Sequence, residues 1–328
     1  MKVVMGLRVL VRLLMNKKWS IMMTNFKYVW MLAFACLTLA SCSDSDEIGD
    51  PIEIKPDYVL PQQGASSSAN QRIQELYNKY GSYFLYRFDA KDAFWVQYTG
   101  NANQRGSNFV TEGDPANVDA MLDFLTDNWL SYFPDDFLKN GGIPYRVFLA
   151  NEYYNYIDWG GGNGHRSNYT HQILGNAIII AGLNDVKNLD EAAKKAKKLD
   201  LINVLWNYYI AQGLVTIPDE FYSVTDYVTV PSSSGYYGWT AAEVEAFRQR
   251  GFLPVYSTKQ DSWYWGSYYW NESTAKTQDV ANYMDFIFNA TDAEIESYFT
   301  YPLIKQKYET LINHFKNNYG LDLRAIAN

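Results

Sequence analysis

The tetrapeptide Leu39-Ala40-Ser41-Cys42 closes an apolar run that opens at Tyr28, and it decides how much of this chain is left to fold. An apolar stretch, small residues and then cysteine form the processing signal of a bacterial lipoprotein. The leader is cut away and the new N-terminal Cys42 is acylated, palmitate being an expected chain. The rival reading is a membrane-spanning anchor, but Tyr28 to Ala40 falls short of the roughly 20 apolar residues that a helical span needs. Residues 1–41 therefore read as a signal peptide. Met23-Thr24-Asn25-Phe26-Lys27 already makes a complete short basic n-region, so Met23 is an alternative start.

The residues just after Cys42 set expectations about place. Ser43-Asp44-Ser45-Asp46-Glu47 is acidic and resembles the surface-export signal of some Gram-negative lipoproteins, although a solvated tether would read the same way. The expected location is the outer membrane, lipid-anchored and facing the cell surface. Residues 42–69, with Pro51, Pro56, Pro61 and the run Gly64-Ala65-Ser66-Ser67-Ser68, form a flexible tether. Residues 70–328 are then long enough for a single domain with a substantial core.

Cysteine and charge exclude several classes of function. The two cysteines are Cys36, inside the leader, and Cys42, at the lipid site, so the mature chain has no disulfide and no thiolate metal site. Removing residues 1–41 removes six bases and no acid; 28 bases against 36 acids become 22 against 36, a net charge of about −14. Such a surface repels phosphate backbones and argues against nucleic acid as a partner.

Periodicity places the elements. A helix over Asn70 to Tyr80 is stopped by Gly81, and strand-like runs come next at Tyr83 to Phe88 and Phe94 to Tyr98. Asp114-Pro115 opens the next helix, with Val118, Leu122, Leu125 and Trp129 on its buried face. Pro144 to Ala150 and Ala177 to Ala181 read as strands, and Asn188 to Gln212 as a long helix with a basic, solvated first half. Thr240-Ala241-Ala242-Glu243 and Thr291-Asp292-Ala293-Glu294 fit the capping box, Thr277 to Asn289 is helical, and Pro302 to Tyr319 is closed by Gly320. With strands in the N-terminal half and helices in the C-terminal half, the class is α+β.

Little in the sequence carries chemistry. The chain has three histidines. His165 and His171 lie in and just after the glycine-rich run Gly160 to Ser167, which reads as a solvent-exposed loop; they form a weak candidate metal pair with no third ligand in sight. His314 reads as a half-exposed packing residue. The glycine run lacks the Lys-Ser/Thr of a phosphate loop, and no Gly-x-Ser-x-Gly elbow occurs. Aromatic content does stand out, at 17%, with 28 tyrosines and 10 tryptophans. The densest patch holds Trp263, Trp265, Tyr268, Tyr269 and Trp270, with Tyr236, Tyr237 and Trp239 as a second cluster. Rings of this kind either cover a core or stack on the C–H faces of a glycan.

Several segments together resemble the zinc-binding metallopeptidase family also described as substrate import-associated zinc metallohydrolase lipoproteins. Asn70 to Asp89 is similar to its opening helix and strand, and Gly175-Asn176-Ala177-Ile178-Ile179-Ile180-Ala181-Gly182-Leu183-Asn184 to the strand before its catalytic helix. Gly251 to Tyr256 and Asp279-Val280-Ala281-Asn282 resemble later signatures, and Lys307 to Leu323 its C-terminal helix and closing strand. The resemblance implies a zincin-like α+β fold over residues 70–328 with Asn188 to Gln212 as the former active-site helix.

The family's helix carries His-Glu-x-x-His, two zinc ligands one turn apart with a glutamate that activates water. Gln212, Ile217, Pro218 and Phe221 set the register here, and the motif falls on Val204-Leu205-Trp206-Asn207-Tyr208; a later family carboxylate falls on Asn282. At these degenerate positions, Val204, Leu205, Tyr208 and Asn282, zinc chemistry is lost, so no cofactor is expected although the family's is zinc. The implied role is that of an inactive component of a TonB-dependent import system, capturing a glycan or peptide beside the transporter and its substrate-binding lipoprotein. The alternatives are a zinc metallohydrolase with a relocated metal site at His165 and His171, and a structural accessory subunit that binds no small ligand.

Overall fold

A computed structural model describes residues 56–93, 106–158, 164–230, 240–253 and 271–328. Tyr58–Asn328 forms one compact unit; the other, Met1–Asp57, lies almost wholly outside the described residues, and with it the expected leader, Cys42 and most of the expected tether. No described helix is long and apolar enough to cross a membrane.

The architecture is mixed α+β, and the sheet is built around one long strand. β1 (Tyr83–Leu85), β3 (Arg146–Asp158), β6 (Ala177–Ile180) and β5 (His171–Leu174) lie in the spatial order β1-β3-β6-β5. β1 and β6 run parallel to β3, and β5 is an antiparallel edge strand, with His171 opposite Ile180 and Leu174 opposite Ala177. The parallel strands are buried on both faces, which is why Ile178-Ile179-Ile180 and Val147-Phe148-Leu149 read as unbroken apolar runs. Alternate residues part cleanly. Phe84, Val147, Leu149, Ile178 and Ile180 face the main core, while Tyr83, Leu85, Phe148 and Ile179 face a smaller cluster on the opposite side.

The second half of β3 outruns that sheet and becomes the centre of an antiparallel ribbon. β2 (Gly106–Glu112) pairs along one side, Phe109 opposite Tyr154, and β4 (Gly164–Tyr169) along the other, Tyr153 opposite Tyr169.

Helices cover the main-core face. α1 (Ser67–Tyr80) and α2 (Val118–Asn128) come before and within the strand region; α3 (Glu191–Ala211), α4 (Asp219–Ser223), α5 (Ala241–Gln249), α6 (Glu272–Asn289), α7 (Asp292–Tyr298), α8 (Pro302–Tyr319) and α9 (Leu323–Ala327) come after it. Gly81 and Gly320 close α1 and α8 in the left-handed conformation, φ 74° and 68°. Both capping boxes form, Thr240 with Glu243 and Thr291 with Glu294. Val118, Leu122, Leu125 and Trp129 are all buried, as their spacing requires.

Four sequence expectations change. Gly160 to Ser167 is not wholly a loop: from Gly164 the chain is strand β4, which shows no apolar alternation because most of its side chains are exposed. His171 is a buried strand residue rather than an exposed loop residue. The first half of α3 is not fully solvated, since Lys197 and Lys198 are buried, the latter donating to the Tyr132 hydroxyl at 3.0 Å. The tail ends in helix α9 rather than a closing strand, because the Asp322 side chain caps the amides of Arg324 and Ala325. The expected strand at Phe94 to Tyr98 lies outside the described residues.

Candidate functional site

Helix α3 is the element on which any site must be built, because its sides face different partners. Asp190 caps it by accepting from the Ala193 amide. Leu201, Leu205 and Tyr209 point into the core. Tyr209 is fully enclosed; its hydroxyl donates to the Gly142 carbonyl at 3.0 Å and accepts from Trp129 Nε1 at 3.0 Å, and burial holds its pKa far above the ordinary value. This anchor fixes the rotation of the helix about its axis.

The four positions to which the resemblance assigns the zinc motif and its later carboxylate are thereby separated. Leu205 is completely buried in the core. Val204 is half-buried beside β5, whereas Tyr208 turns toward the loop before β3 and donates to the Gly141 carbonyl at 3.2 Å. Asn282 is 2% exposed and looks onto a different side of α3. Val204 and Leu205 have no donor atom for a metal, and the Tyr208 hydroxyl is already engaged. The residues do not fit a zinc ion. Among the described residues there is no group of three or more His, Cys, Asp or Glu side chains placed to hold one.

Toward the sheet, α3 and the edge strand β5 enclose a cleft of about 810 Å³, reached also by β3 and β4. Its floor is polar. His171 Nδ1 lies 3.1 Å from Asp200 Oδ2, and the Thr170 hydroxyl donates to the same carboxylate. Lys197 Nζ donates to the Ala181 carbonyl. Burial lowers the His171 pKa to about 4 against the opposing pull of Asp200, so the ring is neutral at physiological pH and its Nδ1–H is the donor. Burial likewise lowers Lys197 to about 8. At the rim Arg166 pairs with Glu152 at 2.9 Å and lies 3.8 Å over the Tyr154 ring. His165 and His171 are not brought together as a pair: one sits opposite Ile157 in the ribbon, the other opposite Ile180 in the main sheet.

Toward the C-terminal helices, α3 and α6 enclose a second groove, of about 430 Å³. Asn203, Trp206 and Asn207 face Gln278 and Asn282 across it. Sequence reading missed this set, since carboxamides carry no motif; the only available signal was their one-turn spacing on each helix. The aromatic candidates Trp263, Trp265, Tyr268, Tyr269, Trp270, Tyr236, Tyr237 and Trp239 lie outside the described residues.

Comparison with known proteins adds little. No family model matches the chain, and no curated protein matches it. Among solved structures, it is similar to a protein of Bacteroides caccae ATCC 43185 described as a "putative zinc-binding metallo-peptidase". The identity is 15% and the TM-score 0.41, over 80% of this chain and 91% of that one.

Proposed function

We propose that this chain is a zincin-like lipoprotein that captures a ligand without hydrolysing it. The observation that carries this reading is the fate of Val204, Leu205, Tyr208 and Asn282. One is aliphatic beside the cleft, one is core, one is tied to Gly141, and one faces another groove. Support for the fold comes from the order of elements: an antiparallel edge strand, a buried parallel strand, then the long helix beneath both. A vacated cage of polar ligands would leave unpaired groups in a dry site, and aliphatic replacements avoid that penalty.

In this reading the protein sits in the outer membrane, held by lipid on Cys42 and facing the cell surface. There it hands a glycan or peptide to a TonB-dependent transporter and its substrate-binding lipoprotein. The aromatic residues around Trp265 and Trp270 serve as stacking surfaces for that ligand. The test is metal content by mass spectrometry on protein made in zinc-supplemented medium, joined to a peptidase assay. We expect less than roughly a tenth of a zinc ion per chain and no turnover. Stoichiometric zinc with hydrolysis overturns the proposal.

A further inference from the structure

Residues 58–66, read from the sequence as tether, are built into the fold as a strap along the outer edge of β1. β1 is an end strand of the main sheet, paired on one side with β3. The strap runs parallel to it: the Tyr58 ring lies 5.2 Å from the Tyr83 ring, edge to face, and Gln62 sits level with Tyr86 and Arg87. Tyr58, Leu60 and Gln62 are half-buried while Val59, Pro61 and Gln63 are exposed, the alternation of a strand with one side covered. Leu60 touches both core clusters, so the strap closes the edge of the sheet across both of its faces. Its grip comes from one side chain. Gln62 Oε1 accepts from the amides of Tyr86 and Arg87 at 2.9 and 3.1 Å, and Gln62 Nε2 donates to the Arg87 carbonyl at 2.6 Å. The carboxamide takes the place of a neighbouring strand's peptide group. The Tyr86 hydroxyl donates to the Gln62 carbonyl at 2.7 Å, and Ser66 then caps α1.

From this arrangement we infer that the strap is an edge guard, and that β1 pairs with a second copy of this chain when the strap lifts. What it covers is Tyr83-Phe84-Leu85-Tyr86, aromatic and aliphatic residues each 2% exposed or less. A strand of that character with an uncovered row of backbone groups is a template for another strand. The same run in a second copy matches it in length and character, and two such edges bury one another. The strap in place offers no comparable template, since Pro61 on its outward side has no N–H to give. It is also lightly fastened. Its hold on the backbone after β1 is the Gln62 carboxamide, and only every second residue from Tyr58 to Gln62 is half-buried, whereas the strand beneath is enclosed. A segment held so thinly opens at lower cost than the core it covers. The strap therefore sets the choice between a closed monomer and a copy-to-copy pair, a role independent of any ligand or metal.

The test is sedimentation velocity with amide hydrogen exchange, on the full chain and on its Gln62→Ala variant. Leu60→Ala serves as a second variant that loosens the strap without touching the backbone bonds beside β1. Gln62→Ala should speed exchange at the Tyr86 and Arg87 amides roughly tenfold and bring in a concentration-dependent dimer that the parent chain lacks. A synthetic peptide of residues 56–66, added in excess, should return the variant to monomer, and the same peptide carrying Gln62→Ala should not. Faster exchange with no association at any concentration overturns the guard. Association that leaves those two amides protected, or that the peptide fails to reverse, places the contact elsewhere and overturns it as well. Unchanged exchange in both variants shows that Gln62 and Leu60 do not hold the strap, and overturns the inference outright.

Discussion

His171 is the residue whose environment departs furthest from what its neighbours in the sequence announce. Coming after a glycine-rich run, it is nonetheless 3% exposed, because β5 closes over α3 and places the ring against Asp200. Burial lowers its pKa from 6.5 to about 4, so the unfolded chain takes up a proton first as pH falls. Its contribution to stability is therefore complete above pH 6.5 and drains away between 6.5 and 4, by on the order of 3 kcal/mol. We expect urea midpoints to fall across that window, and His171→Gln, which keeps a donor to Asp200, to flatten the fall.

A second buried site behaves differently because it is doubly charged. Lys307 Nζ binds the Asp279 carboxylate with both side chains fully enclosed, and donates to the Gly251 carbonyl and the Thr225 hydroxyl, each at 3.1 Å. Desolvation pushes Asp279 up and Lys307 down, each opposed by its partner. Removing one charge strands the other. Asp279→Leu or Lys307→Met alone should cost about 3–5 kcal/mol, and the double variant should recover most of it, as a denaturation cycle will measure.

At the scale of elements, the sequence is most readable where the signal is local. Thr291 and Glu294 satisfy each other's neighbouring amides with no help from the rest of the chain, so four residues suffice to place the start of α7. Thr291→Ala should cost about 1 kcal/mol, seen as a shifted urea midpoint with an unchanged slope. Helix α3 is readable as a helix but not as a device with distinct sides. Which side meets β5 and which meets α6 is set by Tyr209, whose hydroxyl is locked between Gly142 and Trp129, residues 67 and 80 positions away. β4 was invisible for a related reason. Its hydrogen bonds are drawn from the overhang of β3, and its exposed side chains carry no alternation.

At the scale of the molecule, the expected leader and the folded unit make separate claims. The reading of Cys42 as a lipid site predicts that Cys42→Ser moves the protein from the membrane to the soluble fraction after cell breakage, with the melting temperature unchanged. Retention of the variant in the membrane removes the lipid anchor from the account. The sequence by itself determined the α+β class, the two capping boxes, the buried face of α2 and the absence of His and Glu from Leu199 to Gly213, since each depends on residue type and short-range spacing. Only the tertiary structure decided that His171 is buried, that Val204, Tyr208 and Asn282 part company, and that four carboxamides share a groove with Trp206. Those facts depend on the rotation of one helix against a sheet edge and against a second helix far along the chain. That rotation is set by packing and buried hydrogen bonds between distant segments, which no short window of sequence contains.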